Sequence, residues 1–238
     1  MDFKNLKKKF ILGILFFLPV AFLLMLYPST NNYNALDIVK EDVIEISNFS
    51  FNDEATSLGG NLTVLGFLGI NPNEKVISAL NLKEIIYDKF KGFKKFQVLI
   101  LVPKGSEHNV ELLKKELYQF EALKYWHFAY GESGDILKVY NSLLSKENLD
   151  STLATNQVFI IDKERNQRGR LDDREEKDKE INKPVNQLYS YSCIEIAELK
   201  NKMASEDMRV LFTEYRQKRK GEFSTESRRE EDLKGNNE

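Results

Sequence analysis

From Phe10 to Tyr27 the chain runs FILGILFFLPVAFLLMLY, and no apolar stretch of comparable length follows it. These 18 residues would reach roughly 27 Å as a helix at about 1.5 Å each, close to a bilayer core of about 30 Å. Pro19 falls mid-run, which a membrane helix tolerates. Lys4, Lys7, Lys8 and Lys9 precede the run and no lysine or arginine follows until Lys40. That asymmetry predicts a cytoplasmic N-terminus, residues 1–9, and an anchor over residues 10–27 that leaves the remainder outside, in the periplasm of an inner membrane. A cleaved signal peptide is the competing reading. Its apolar region would be shorter, about 7–15 residues, with a small-residue cleavage site that MLYPST hardly offers.

Downstream the pattern changes period repeatedly. Residues 28–40 are polar and Asn-rich and read as a tether. DVIEISNFSF alternates over Val43, Ile44, Ile46, Phe49 and Phe51 and predicts a strand or hairpin arm. LTVLGFLG is a short continuous apolar run, as expected of a strand buried on both faces. Ile77, Leu80, Leu82, Ile85, Ile86 and Phe90 then recur at helical spacing, and Gly92 closes that helix. FQVLILVP is a second buried strand, SEHNVELLKKELYQFEALK a helix with Ser106 at its N-cap, YWHFAYG a third strand and GESGDILKVYNSLLSKE a third helix. QVFIIDKERNQRGRL predicts a hairpin turning at KERN.

Alternating strands and helices closed by a hairpin predict an α/β fold, a mixed sheet flanked by helices in thioredoxin-like order with one inserted helix and strand. DDREEKDKEINKPVNQ reads as a solvated loop. Ile196, Leu199, Met203, Val210, Leu211 and Tyr215 mark one amphipathic C-terminal helix or two. The expected exported domain is 41–220, and 221–238 has the composition of a disordered tail.

Composition narrows the chemistry. A formal net charge of -2 argues against nucleic acid as a partner, because phosphate binding needs a basic face. Cys193 is the one cysteine, so no intramolecular disulfide can form. It reads as a packing residue, with an intermolecular disulfide left open. No nucleophile elbow, phosphate-binding glycine loop or zinc motif is present, and neither catalysis nor a cofactor is expected. His108 reads as a surface residue. His127 shares a strand face with Tyr125 and Ala129, opposite Trp126, Phe128 and Tyr130. It reads as a strand histidine with one hydrogen bond, the functional alternative being a metal ligand or proton carrier. Met203 and Met208 read as packing residues. Asp172 and Asp173 read as part of a solvated charge run rather than a hard-cation site.

Three stretches carry a resemblance to a known family. LTVLGFLGINPNEKVISALNLKEI resembles a strand, an F-x-x-x-C-P-x-x-C loop and a helix; YWHFAYGESGDILKVYNSL resembles W-H-F-L-T-G and its helix; QVFIIDKERNQRGRLDD resembles F-L-I-D-x-x-G-R-I-R-G. In this order, over roughly residues 60 to 175, they resemble the Sco/SenC family of membrane-anchored, thioredoxin-like copper chaperones of cytochrome oxidase assembly. The departures are informative. With Pro72 on the family's proline, Asn71 stands where the first cysteine belongs and Lys75 where the second belongs. Ser151, in LDSTLA, stands near the family's metal histidine, with an offset of a few residues left open. His127 matches the W-H-F-L-T-G histidine, which is not the family's ligand. A protonated lysine has no lone pair for a metal.

The resemblance implies a degenerate member, without copper or dithiol chemistry, that serves as an accessory or assembly module. Its partners would be the membrane and oxidase subunits or a copper-handling protein. The alternative is a residual copper chaperone or redox protein with rearranged ligands, in which His127 and Cys193 would be the candidates. The tip carrying Asn71, Asn73 and Lys75 reads as a solvated loop, with an anion or acidic partner as the functional alternative.

Overall fold

A computed structural model describes residues 3–26, 35–52, 54–118 and 122–220. The chain divides into two compact units, Met1–Asn34 and Ala35–Glu238. The first holds one helix, α1 (Phe3–Leu26), with Pro19 inside it. Between Ile11 and Phe22 its large apolar side chains lie open, Leu15 and Phe16 each at 72% exposure. Among the described residues no helix is long and apolar enough to cross a membrane. The expected span ends at Tyr27, outside those residues.

The second unit is a mixed α/β domain around one eight-stranded sheet. The strands are β1 (Asp37–Lys40), β2 (Ser50–Phe51), β3 (Leu62–Leu68), β4 (Phe96–Pro103), β5 (Trp126–Gly131), β6 (Ala154–Ile161), β7 (Gln167–Gly169) and β8 (Tyr191–Ser192). Their order is β1-β7-β6-β3-β4-β5-β2, with β8 on β6. β3, β4 and β5 run parallel and β6 antiparallel to β3. Parallel central strands with an antiparallel hairpin at one side make a thioredoxin-like sheet.

Every residue of β3, β4 and β5 is buried, so alternation sorts them between two cores rather than between core and water. Val64, Val98, Ile100, Trp126, Phe128 and Ile160 face one layer. That layer contains α2 (Val76–Leu82), the π-helical turn Lys83–Tyr87, α3 (Asp88–Phe90) and α4 (Glu107–Leu117). It also contains Leu199, Met203, Met208 and Leu211, from the π-helical segment Glu198–Asp207 and from α7 (Met208–Lys220). Leu65, Phe67, Leu99, Leu101, Phe159 and Ile161 face the other layer, covered by α5 (Ser133–Asn141) and by Val43, Ile46, Phe49 and Leu58. A fully buried side chain of this size contributes about 1.5–3 kcal/mol, so two such layers account for a disulfide-free domain.

Several expectations change. The end of the predicted tether is strand β1, paired antiparallel with β7, and the domain's compact unit begins at Ala35 rather than at residue 41. DVIEISNFSF is not a strand over its length. Only Ser50–Phe51 pairs, while Val43, Ile46 and Phe49 are buried at a spacing of three and Ile44 is 45% exposed. Ile77 and Ile196, counted on apolar faces, are 71% and 53% exposed. Ser106 does precede α4, but its hydroxyl donates to Pro103 O at 2.6 Å and caps no helical N–H. The charged stretch after β7 contains a short helix, α6 (Glu176–Glu180), and is tied down by ion pairs. The expected tail, 221–238, lies outside the described residues.

Candidate functional site

The loop between β3 and α2 is built from backbone rather than side-chain chemistry. Gly69 has φ +67, a conformation that costs a residue with a side chain about 1–2 kcal/mol. A Cβ there would lie 2.5 Å from Thr152 O. The bare α-carbon lets two loops touch: Ile70 N–H donates to Thr152 O at 3.0 Å. Residues 69–75 and the segment around Ser151 thus meet through backbone atoms.

Asn71 is engaged by another element of the chain. Asn109, on α4, donates through Nδ2 to Asn71 Oδ1 at 3.2 Å and to Ile70 O at 3.0 Å. Glu74 N–H donates to Asn71 O at 3.0 Å, opening the 3-10 turn Pro72–Lys75 with Pro72 buried. Asn73 Oδ1 is buried with no hydrogen-bond partner among the described residues. Ser151 is exposed. Its neighbour Asp150 organises the turn: Oδ1 accepts from Thr152 N at 2.8 Å, Thr152 Oγ1 at 2.6 Å and Ala154 N at 3.0 Å. Partial burial opposes ionisation of Asp150, but these hydrogen bonds and the Lys75 charge outweigh it and hold its carboxyl below the ordinary range. Lys75 therefore acts in this structure as a positive charge toward an acid of the chain's own.

Residues 69–75 and 150–154 contain neither cysteine nor histidine. Amides, hydroxyls and one ammonium can hydrogen-bond a peptide or an anion, but supply no thiolate or imidazole to a soft metal. The other candidates lie elsewhere. His127 is the second residue of β5, opposite Leu99, at the far end of the strands from the loop. Cys193 packs beyond β8 in the core layer that holds α2. Its N–H donates to Asn156 O at 2.8 Å, and its carbonyl accepts from Asn81 Nδ2 at 2.9 Å. Burial, and secondarily the Glu198 charge, push its thiol up to about 12. His127 alternates with Trp126 and Phe128 of that same layer, so the sheet separates it from Cys193.

Among the described residues, no three His, Cys, Asp or Glu side chains gather as a metal site. Asp172 pairs with Arg174 at 2.8 Å, and Asp173 with Arg170 at 2.6 Å and Lys202 at 3.1 Å. Asp173 is thus an ion-pair partner within the fold rather than part of a solvated run. The sequence reading missed Asp150, Thr152 and Asn109. An Asp two residues before a Thr is a turn signal, and it could have marked the first two. Asn109 carries no such mark, since its role depends on where α4 packs.

No protein-family model matches the chain, and no curated protein matches it in sequence. Solved structures similar to it include BsSco, a member of the Sco family of cytochrome c oxidase assembly proteins, at 13% identity and TM-score 0.40, over 68% of this chain and 90% of that one. Another is a thiol:disulfide interchange protein DsbE from Chlorobium tepidum, at 10% identity and TM-score 0.39, over 72% and 98%. A third is ScoI of Bradyrhizobium japonicum with copper bound, at 16% identity and TM-score 0.34, over 54% and 87%. None of these likenesses carries a site residue or an activity across.

Proposed function

We propose that this chain is a membrane-anchored, thioredoxin-fold binding module without redox or copper chemistry, an accessory factor in respiratory oxidase assembly. One observation carries the reading. The loop around Asn71 and Lys75 keeps its shape through backbone contact with Thr152, while Asn71 bonds to Asn109 and the Lys75 charge acts on Asp150. A scaffold held this way presents a fixed polar surface to a partner and offers no thiol. The basic segment before Phe10 and the open apolar side chains of α1 support a bilayer as its surroundings, with the domain outside. The oxidase connection rests on the resemblance of the three quoted motifs. A residual copper chaperone would need His127 and Cys193 to act apart, on opposite faces of the sheet.

The test uses the full chain in mild detergent. Titration with Cu(I) against a competing chelator should show no stoichiometric binding, and crosslinking in native membranes should enrich oxidase subunits or a copper-handling protein. Tight one-to-one copper uptake would overturn the loss of chemistry. Enrichment of an unrelated envelope protein alone would overturn the oxidase role.

A further inference from the structure

At the opposite end of the parallel strands from the loop, a cavity opens beside the sheet. The chain leaving β2 passes the first residues of β5 and β4 on its way to β3, and a cavity of about 530 Å³ remains between them. That volume falls in the range of about 300–1,000 Å³ typical of small-molecule sites. Its walls are Glu54–Ser57 on one side and Lys95–Gln97, Lys124, Tyr125 and His127 on the other.

Two features make this a formed site rather than a gap between loops. The first is its floor. Gln97 is 3% exposed and fully engaged: its Oε1 accepts from Thr56 Oγ1 at 2.6 Å, and its Nε2 donates to Ser57 O and Thr63 Oγ1, both at 2.8 Å. These bonds pin the passing segment to β3 and β4, so the floor of the cavity is formed without a ligand. The second is charge. Lys95 and Lys124 stand at the rim with no carboxylate paired to either among the described residues, and Glu54 is the single acid among the described residues that line the cavity. Lys124 Nζ lies 5.3 Å from the centre of the Tyr125 ring, so one cation and one flat apolar face adjoin. His127, 9% exposed, adds an imidazole to the wall.

We infer that this cavity binds a small organic oxyanion bearing a flat ring, its phosphate or carboxylate held by Lys95 and Lys124 and its ring lying against Tyr125. The site is independent of the loop at Asn71 and of the function proposed for it. It gives the weak candidate His127 a place in a ligand pocket rather than in a metal centre.

Phenyl phosphate is the probe, titrated into the full chain in detergent while the His127 ring resonances are followed by NMR. Saturable shifts with a Kd of about 1 mM or tighter are expected, inorganic phosphate binding more weakly for want of the ring. The double variant Lys95→Gln/Lys124→Gln should weaken binding about tenfold or more, equivalent to about 1.4 kcal/mol. Both lysines are at the surface, so the variant keeps the fold. Lys104→Gln removes an exposed cation from the end of β4, where Lys104 pairs with Glu132, and should leave binding unchanged. Absence of saturation overturns the inference, as does equal binding of inorganic phosphate. An equal loss in Lys104→Gln, which would mark the effect as general charge, overturns it too.

Discussion

Replacing Gly69 with Ala tests the contact on which the candidate site depends. The new Cβ would meet Thr152 O at 2.5 Å, Thr152 Oγ1 at 2.8 Å and the Ala154 Cβ at 2.9 Å. Two of these atoms belong to a turn already tied down by Asp150, so they cannot simply rotate away. To restore ordinary carbon–oxygen separation Thr152 O must retreat by about 1 Å. The Ile70 N–H to Thr152 O bond, 3.0 Å in the native loop, would then stretch beyond hydrogen-bonding range. Two costs add. The left-handed conformation at φ +67 costs about 1–2 kcal/mol once a Cβ is present. Loss of the hydrogen bond costs about 1 kcal/mol more, Ile70 being half-buried rather than sealed from water. The expected destabilisation is about 2–3 kcal/mol, a large share of the 5–15 kcal/mol typical of a domain. Urea denaturation followed by tryptophan fluorescence reports it, because Trp126 is the one tryptophan and is buried in β5. Gly134→Ala is the internal contrast. No atom lies within 4 Å of its Cβ position and the residue sits inside α5, so that change should stabilise by up to about 1 kcal/mol. If Gly69→Ala proved as harmless as Gly134→Ala, the two loops would not touch and the site geometry would be wrong.

Arg168 is 4% exposed and bridges Asp162 at 3.2 Å, Glu214 at 2.9 Å and the Leu36 carbonyl. Arg168→Met should cost about 3–5 kcal/mol by stranding two buried carboxylates, and Asp162→Asn with Glu214→Gln in the same chain should restore part of it. A midpoint shift smaller than that of Gly69→Ala would contradict this. Asp150 has a depressed carboxyl in the fold, so its contribution is complete above the ordinary Asp range and is lost as pH falls through the lower folded value. The stability gap between wild type and Asp150→Asn should therefore close below about pH 4, and a gap that widened there would refute the assignment. With its thiol pushed up to about 12, Cys193 is thiolate in only about one molecule in ten thousand at pH 8. Iodoacetamide should label it after denaturation and not before; labelling of the native protein at the rate of a free cysteine would show the thiol to be accessible.

The sequence displayed the sheet well and the connections poorly, for a physical reason. β3, β4 and β5 are continuous apolar runs because both of their faces are covered, and such runs are visible without any tertiary knowledge. The segment 41–51 misled because Val43, Ile46 and Phe49 are buried by a chain lying irregularly over the second core layer, and burial without pairing mimics alternation. Arg168 and Arg170 looked like hairpin residues at a charged end. Their role depends on Glu214, Glu206 and Asp207, more than thirty positions away, and no local pattern carries that information. The loop at Asn71 was legible in place but not in its bonding, because Asn109 and Thr152 come from other elements.

That contrast bears on how the loop holds its shape. A site whose shape depended on a metal or a disulfide would collapse when the ligands were replaced, because binding free energy would be part of its folding free energy. Here the shape comes from a glycine at φ +67, a buried proline, and one N–H to carbonyl bond between loops. None of these uses the side chains at positions 71, 75 or 151. The shape therefore does not depend on those three positions, and each takes a residue compatible with water and with the chain's own polar groups. Asn71 bonds to Asn109, Lys75 balances Asp150, and Ser151 faces solvent. The one discord is the unpartnered Asn73 Oδ1, buried beside them. A buried amide oxygen without a donor costs about 1–3 kcal/mol. Asn73→Leu tests that cost, for it should leave the domain at least as stable as wild type in urea denaturation. A loss of stability in the variant would show that the Asn73 amide is satisfied within the fold and that the penalty is not there.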